Sequence, residues 1–141
     1  MKLAALRIRG LEGVRRDIDH TLFQLRLHRK NYCVVVNDSQ SMRGMLEKVK
    51  DFTTWGEIDD AVYAKLVEKR GEEYTGRVES ANKKIQYKKF IIVDHKKYKP
   101  YFRLNNPLCG FERGGIKKAF SVGGVLGYRG HAINDLLSRM I

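Results

Sequence analysis

Lysine and arginine are the side chains of this sequence whose number and spacing could do chemistry, and that chemistry is the binding of anions. The 141 residues include 28 Lys and Arg against 16 Asp and Glu, which gives a formal net charge of +12. The cations form short clusters rather than one tail: Arg7 with Arg9, Arg15 with Arg16, and Arg29 with Lys30. Such a surface repels itself unless a polyanion neutralises it. The charge therefore predicts a nucleic-acid-binding protein, with RNA as the first candidate.

A second feature is the alternation of cations with aromatic rings between residues 83 and 103. The rings of this stretch are Tyr87, Phe90, Tyr98, Tyr101 and Phe102, and its lysines include Lys83, Lys84, Lys88, Lys89, Lys96 and Lys97. Cations bind phosphates, and exposed rings stack on unpaired bases. The alternative interpretation places the rings in the core and leaves the lysines as a solvated face. We favour that alternative for Phe90 and Phe102, but contact with nucleic acid for the lysines.

The glycine-rich stretch at residues 123–130, Gly-Gly-Val-Leu-Gly-Tyr-Arg-Gly, is similar to a phosphate-binding loop. It opens onto a predicted helix, whose N-terminus attracts anions. However, it has neither the G-x-G-x-x-G nor the G-x-x-x-x-G-K-[ST] spacing of nucleotide-binding loops. The alternative is a set of turns that require positive φ or a close backbone approach. We favour a loop that lies against RNA backbone, with Arg129 as the cation, over a cofactor site.

Residue types that commonly carry catalysis or bind metals are scattered. The four histidines are His20, His28, His95 and His131, and no His-x-x-x-His or Cys-x-x-Cys pair gives metal-ligand spacing. His20 and Asp17 could meet on one helix face, but a general base also requires a nucleophile and a pocket. We therefore expect no catalytic residue, no metal site and no cofactor.

Length and composition limit the class of protein. The chain is long enough for one domain, or for a small domain with an extension, and its 43% apolar residues exclude a wholly disordered basic protein. No apolar run approaches the roughly 20 residues of a membrane span, and no secretory signal is visible at the N-terminus. Cys33 and Cys109 favour reduced thiols in a cytoplasmic protein, although a disulfide stays open.

The elements that position the cations follow from the periodicity of the apolar residues. The first half predicts a strand at residues 6–9, a helix from residue 17, a strand at 32–36, a helix from residue 41 and a strand at 52–58. This β-α-β-α-β order predicts helices packed on one face of a small sheet. In the first strand Leu6 and Ile8 alternate with Arg7 and Arg9, which predicts a half-buried strand with a basic outer face.

The second half has a different texture. Asp59 is a candidate N-cap for a third helix that ends at Gly71, residues 71–89 predict a loop that orders on binding, and residues 90–93 predict a short strand. Residues 110–130 predict irregular structure. A final amphipathic helix places Ile133, Leu136, Leu137 and Met140 on one stripe. Residues 71–141 carry 14 basic and 6 acidic groups, against 14 and 10 in residues 1–70.

Several blocks, in the right order, resemble one known family. They are Ser-Met-Arg-Gly-Met-Leu at 41–46, Thr-Trp-Gly-Glu-Ile at 54–58, Glu-Lys-Arg-Gly at 68–71, Phe-Arg-Leu-Asn-Asn-Pro at 102–107, the glycine-rich block at 123–130 and Ile-Asn-Asp-Leu-Leu-Ser-Arg-Met at 133–140. They resemble the archaeal and eukaryotic form of the L-thirty family of large-subunit ribosomal proteins, whose eukaryotic counterpart is called L-seven. The resemblance covers nearly the whole chain except about residues 72–100.

The resemblance implies an α+β fold. It consists of a ferredoxin-like β-α-β-α-β core at residues 1–58, with a small antiparallel sheet and helices on one face, and a mixed helical and irregular C-terminal extension at residues 59–141. The implied function is that of a structural constituent of the large ribosomal subunit, which binds large-subunit rRNA and lies near 5S rRNA. The implied partners are this RNA and neighbouring ribosomal proteins in the cytoplasm, with no enzyme activity, cofactor, membrane or small-molecule substrate.

The resemblance also implies roles for individual residues. Gly44 would permit close approach of RNA, and the arginine of the family's His-Pro-Pro-Arg-Gly-Gly turn is absent from Asn-Asn-Pro-Leu-Cys-Gly at 105–110, so Arg113 is a candidate substitute. The predicted RNA-binding residues are Arg7, Arg9, Arg15, Arg16, His28, Arg29, Lys30, Arg43, Gly44, Lys96, Lys97, Arg103, Arg113, Lys117, Lys118, Tyr128 and Arg129.

Two other functions stay open at this point. A non-ribosomal RNA-binding module of the same fold, acting in rRNA maturation, would present the same cations. A small nucleotide-dependent enzyme built around residues 123–130 would instead bind a nucleotide saturably.

Overall fold

The computed structural model describes residues 1–87 and 89–141, which form an α+β fold around one five-stranded sheet. Its elements are β1 (Lys2–Arg7), α1 (Arg16–Gln24), β2 (Tyr32–Asn37), α2 (Gln40–Lys48), β3 (Thr53–Glu57), α3 (Asp60–Arg70), β4 (Ile91–Val93), β5 (Lys96–Tyr98), β6 (Phe102–Arg103), β7 (Gly127–Tyr128) and α4 (Ile133–Met140). The predicted β-α-β-α-β order of the first half is confirmed.

The sheet has the strand order β6-β2-β1-β3-β7, with β1 at its centre. β1 pairs antiparallel with both β2 and β3, so that Ala4 lies between Val35 and Gly56. β6 adds an antiparallel pair to β2, whereas β7 pairs in parallel with β3. The three core strands therefore form the small antiparallel sheet that the sequence predicts, and two strands from the second half extend it. The division at residue 58 stays a prediction.

The helices cover both faces of the sheet. On one face α1 and α2 bury Leu22, Leu46 and Val49 against Leu3 and other residues of β1, β2 and β3. On the other face α3 and α4 pack over the alternate residues of the same strands, among them Ala4, Leu6 and Ile8. Because successive side chains of a strand point to opposite faces, β1 is buried on both sides. The prediction of a half-buried first strand is therefore wrong, since the α1 side covers the face of Arg7, which was expected to be exposed, and the second half of the chain covers the face of Leu6 and Ile8.

The apolar spacing of helix α4 explains how this helix packs on the second face of the sheet. Ile133, Leu136, Leu137 and Met140 are all buried, which confirms the predicted stripe. The side chain of Asn134 fixes the helix to the end of β3, because its Nδ2 donates to the Glu57 carbonyl at 3.1 Å and its Oδ1 accepts from the Asp59 amide at 2.9 Å.

The described residues of 71–89 form a loop without a helix or a named strand, as predicted, and they are tied to a hairpin of β4 and β5. The amide of Tyr74 donates to the carbonyl of Lys97 at 2.9 Å. Phe102 is 1% exposed, which confirms its place in the core, while Phe90 is only half-buried. Residues 110–130 consist mainly of turns, apart from a short 3₁₀ helix (Phe120–Val122) and β7.

Both cysteines are free thiols. Cys33 is buried and Cys109 is exposed, and burial raises the pKa of the Cys33 thiol to about 12. Within the described residues, no helix is long and apolar enough to cross a membrane.

Candidate nucleic-acid interface

Four cations that are far apart in the sequence meet at one edge of the molecule. Arg9 and the ring of Phe52 line two adjoining open grooves. Arg15 and Lys117 line the first of these grooves, and Lys30 lines the second. We call Arg9, Arg15, Lys30 and Lys117 the basic edge. Two carboxylates, Asp51 and Glu12, also line these grooves, so the edge carries a net positive charge.

Arg9 is the most firmly held cation of the basic edge. Its guanidinium lies 5.0 Å from the centre of the Phe52 ring, and its Nη1 donates to the Asp51 carbonyl at 3.3 Å. The amides of Ile8 and Arg9 both donate to the Phe52 carbonyl, at 2.9 and 3.2 Å, and thereby fix the backbone. A cation over an aromatic face is pre-oriented. Arg9 keeps further N–H groups that could reach a phosphate oxygen.

The cations of the two turns beside this edge are exposed. Arg15 pairs with Asp17 at 3.2 Å, and both side chains are solvated. Within the part of the chain that the structure describes, Arg16, Arg29 and Lys30 are exposed and have no carboxylate within ion-pair distance. An exposed ion pair contributes at most about 1 kcal/mol, so a phosphate could displace Asp17 at little cost.

The second half of the chain supplies Lys117 through an ordered turn. The amides of Val125 and Leu126 donate to the Lys118 carbonyl at 3.0 and 3.1 Å, and the Gly114 amide donates to the Gly123 carbonyl at 2.9 Å. Lys117 and Lys118 are exposed as a result. Arg113 is exposed in the same segment but lines neither groove of the basic edge.

Arg7 does not lie on an exposed face, and the expectation that it does is wrong. Its side chain faces the α1 layer, and the residue is only 1% exposed. Its guanidinium donates to the carbonyls of Leu27 at 2.7 Å, Gly10 at 2.9 Å and Arg9 at 2.9 Å. Burial lowers the pKa of this guanidinium, against a smaller opposite effect of Asp19. Arg7 therefore joins the segment after α1 to the end of β1. Protein carbonyls accept from its guanidinium, so the side chain does not face a ligand.

Arg129 is also buried, against the expectation that it is the cation of an RNA-facing loop. Its side chain is 1% exposed. It donates to Thr54 Oγ1 at 3.0 Å, to a Glu112 carboxylate oxygen at 3.2 Å and to the Val125 carbonyl at 3.2 Å, and it lies 4.6 Å from the centre of the Phe120 ring. Burial lowers its pKa, while the bond to Glu112 acts in the opposite direction. The glycine-rich segment thus uses its arginine to brace the fold.

Arg43 and Tyr128 belong to a polar cluster at the start of α2. Arg43 makes two bonds of 2.6 Å to the Asp38 carboxylate and lies 3.8 Å from Glu57, whose carboxylate accepts from the Tyr128 hydroxyl at 2.7 Å. The hydrogen bond with Asp38 raises the pKa of Arg43 and lowers the pKa of Asp38. Gly44 follows on the exposed side of α2, where an added Cβ would meet no atom within 4 Å. The helix surface is therefore open to close approach at Gly44.

The cations of the alternating stretch do not join the basic edge. Lys96 and Lys97 are exposed on the hairpin, whose strand β4 lies beside Lys2 and Asn37, at the opposite end of β1 from Arg9. Arg103 pairs with Glu72, which also accepts from Lys99 at 2.7 Å. The Lys88 prediction lies outside the described residues.

His28 is half-buried at the end of α1, with aromatic neighbours. Its ring centre is 5.0 Å from that of Phe23 and 6.4 Å from that of Tyr101. Burial first, and then the charges of Arg26 and Arg7, lower its pKa. This direction favours the neutral form of the ring. The signal that sequence analysis missed is Phe23, an aromatic residue that lies off the apolar stripe of α1.

The described residues contain no group of three His, Cys, Asp or Glu side chains that could hold a metal ion. The grooves found here are instead lined by cations and aromatic rings, which suit anionic and aromatic ligands.

Comparison with known proteins identifies the family of this chain. The family described as Ribosomal protein L30p/L7e matches residues 3–52. Three relatives, each named large ribosomal subunit protein uL30, match almost the whole chain. They come from Methanopyrus kandleri (46% identical, over 95% of this chain and 100% of the relative), Methanococcus vannielii (43%, 100% and 100%) and Nanoarchaeum equitans (41%, 98% and 97%). The family predicted from the sequence blocks is confirmed, and the chain belongs to the uL30 family of large ribosomal subunit proteins.

Proposed function

We propose that this protein is a structural constituent of the large ribosomal subunit, in the cytoplasm, that binds large-subunit rRNA through its basic edge and lies near 5S rRNA. Family membership supports the place in the ribosome. The observation that carries the RNA contact is the meeting of Arg9, Arg15, Lys30 and Lys117 around Phe52, although 108 positions of sequence separate Arg9 from Lys117.

The mechanism is the neutralisation of crowded phosphates on a fixed surface. Lysine and arginine contact phosphate oxygens, release condensed counterions and set the position of the RNA without a base code. Because the edge is built from turns that the sheet holds in place, it recognises the shape of a folded RNA groove or junction. The exposed cations Arg16, Arg29, Arg113 and Lys118 extend this surface, and Gly44 with Arg43 offers a further contact. Arg7 and Arg129 support it from inside.

Co-sedimentation with ribosomes tests this function. The wild-type chain is expected to sediment with the large subunit through high-salt sucrose, in about one copy per subunit. Recovery with precursor particles alone would contradict the proposal and favour a role in rRNA maturation. A chemical cross-link from the chain to 5S rRNA in the same particles is the expected result for its neighbourhood, and its absence would remove 5S rRNA from the proposal.

A pair of charge-reversal variants tests the surface. Arg9→Glu with Lys30→Glu is expected to lower recovery with the large subunit at least tenfold, because phosphates would then face like charges. The matched control is Lys65→Glu with Lys69→Glu on the exposed side of α3, which changes net charge equally. Equal loss in both variants would mean that net charge, and not the basic edge, decides binding.

A further inference from the structure

Another groove, separate from the two at the basic edge, lies at the C-terminal end of α1, and aromatic rings line it. It is an open groove of about 610 Å³ between α1 and the segments that flank the hairpin. Four rings and three cations line it: Phe23, His28, Tyr74 and Tyr101 with Arg26, Lys89 and Lys99. We call it the aromatic groove. Grooves of this size with aromatic walls and a small number of polar groups are typical of ligand sites.

The rings on one side of the aromatic groove contact each other in series. Phe23 meets His28 edge-on at 5.0 Å, His28 meets Tyr101 edge-on at 6.4 Å, and Tyr101 stacks on Tyr32 at 5.1 Å with a 9° angle between the rings. Opposite them, Tyr74 is held by Phe90 at 5.5 Å. Rings that are already ordered lose little conformational freedom when a flat ligand stacks on them.

Phe23 is the ring of this group that does not pack in the hydrophobic core. The core face of α1 is made by Leu22 and Leu25, while Phe23 is 66% exposed. The chain turns back directly after α1, where the Leu27 amide donates to the Leu22 carbonyl at 2.9 Å and Arg26 takes a left-handed φ of 62°. This turn brings His28 against Phe23. The segment thus arranges an exposed ring beside a half-buried one.

The positive charge of the lining residues indicates which class of ligand the aromatic groove would bind. Lysines stand at the rim of the groove, where Lys99 bonds Glu72 at 2.7 Å and Lys89 lies 5.4 Å from the Tyr87 ring. The chain carries a net charge of +12, so an anionic ligand is attracted. An apolar protein segment would match the rings but not the lysines. An unpaired nucleotide matches both, since its base stacks on rings and its phosphate meets a lysine.

We propose that the aromatic groove takes an unpaired nucleobase of the rRNA, stacked on the exposed ring of Phe23 beside Tyr101, with Lys89 near the adjoining phosphate. The lowered pKa of His28 supports this role, because a neutral imidazole packs against the stacked rings without a charge to solvate. The inference rests on the proposed function and adds a base-stacking contact to the phosphate contacts of the basic edge.

Two RNA strands of equal charge test the proposal. The full chain is titrated with hexaadenylate and with an abasic hexamer of the same sugar-phosphate backbone, at one salt concentration. Stacking of one base is expected to make hexaadenylate bind about 5- to 100-fold more tightly. Phe23→Ala is expected to bring this ratio close to one. Ile92→Ala, which removes a side chain of the same 66% exposure on the hairpin, is expected to leave it unchanged.

The contrary outcomes are distinct. The proposal is overturned if the wild-type chain binds the two strands equally, or if Phe23→Ala leaves the binding ratio unchanged. Equal binding is also the result expected if the groove binds a protein segment instead of a base. If the chain prefers hexaadenylate but does not sediment with the large subunit, the ribosomal function fails while the base-binding groove stands. If it sediments but shows no preference, only the groove fails.

Discussion

Two of the arginines in this protein are buried and stabilise the fold instead of facing solvent. Arg7 and Arg129 each place a guanidinium inside the molecule, where carbonyls, a hydroxyl or a carboxylate occupy its N–H groups. A buried charge is costly unless such partners satisfy it. Both arginines act as braces between segments that are distant in sequence. In the proposed function, the binding of RNA falls instead to the exposed cations that these two arginines help to hold in position.

Replacing Arg7 by methionine is expected to destabilise the fold. The variant leaves the carbonyls of Leu27 and Gly10 without their donor, so the free energy of unfolding should fall by about 2–4 kcal/mol. Urea unfolding measures the change, with the exposed Arg16→Met as the control, expected within about 0.5 kcal/mol of wild type. An Arg7→Met midpoint equal to that of the control would show that the three carbonyl bonds contribute nothing.

The ion pairs of Glu72 are expected to make the free energy of unfolding depend on pH. The hydrogen bond from Lys99, and then that from Arg103, lower its pKa below the ordinary value of 4.5. A carboxylate with a depressed folded-state pKa stabilises the protein above its unfolded-state pKa, and this contribution is lost as the pH falls through the folded-state pKa. Glu72→Gln should therefore cost up to about 1 kcal/mol at pH 7 and nothing in strong acid.

Urea unfolding at several pH values between 7 and 2 checks this difference. Glu68→Gln on the exposed side of α3 is the control and should track wild type at every pH. A stability difference between Glu72→Gln and wild type that stays constant down to pH 2 would contradict the ion-pair account.

At the scale of elements, the decisive feature is that the second half of the chain completes the sheet and covers its second face. β7 pairs with β3 in parallel, and the turn after β7 presses on β3 so closely that a Cβ at Gly56 would lie 1.9 Å from the Gly130 carbonyl oxygen. α4 then packs over the same strands. The second helical layer is therefore packed directly on the sheet, and the segment that supplies Lys117 is joined to the sheet through β7.

Two glycine substitutions are expected to have opposite signs. Gly56→Ala introduces a methyl group against the Gly130 backbone and should destabilise the fold by about 1–3 kcal/mol. Gly44→Ala lies on the open side of α2, so it should stabilise the free protein by about 0.5–1 kcal/mol through helix propensity. Thermal unfolding of both variants measures the signs. A Gly56→Ala variant as stable as wild type would show that the Gly130 carbonyl does not approach Gly56 in this way.

Local patterns predicted most of these elements but not their partners. The stripe of Ile133, Leu136, Leu137 and Met140 predicts α4 because helical spacing alone defines an apolar face. The two-residue strands β6 and β7 carry no period and form only because β2 and β3 offer free edges. Likewise, alternation places Arg7 on one face of β1, but only the tertiary packing decides that this face is buried.

The same distinction explains what could be predicted of the site. Charge clusters at the turns predict exposed cations, and Arg16, Arg29 and Lys30 are exposed. Nothing in the spacing of Arg9 and Lys117 indicates that they meet, because the contact depends on how residues 110–130 fold back. Family resemblance suggested Arg129 as a contact without showing that Glu112 and Thr54 enclose it.

At the scale of the whole molecule, two surfaces with different chemistry each carry several of the cations. The basic edge presents cations around one ring, whereas the aromatic groove presents rings with cations at the rim. Phosphate contacts position an RNA, and stacking on an unpaired base adds local discrimination. Together they would give a chain of net charge +12, from a family of ribosomal proteins, two different kinds of contact with RNA.

Cross-linking in the native particle tests the central claim most directly. Large subunits purified from the cells that make this protein are irradiated with ultraviolet light, digested, and searched by mass spectrometry for peptides that carry a nucleotide. The account predicts adducts on the peptides that contain Arg9, Phe52, Lys30 and Lys117. Adducts confined to α3 and to the β4–β5 hairpin, with none on those peptides, would contradict the claim that the basic edge faces the rRNA.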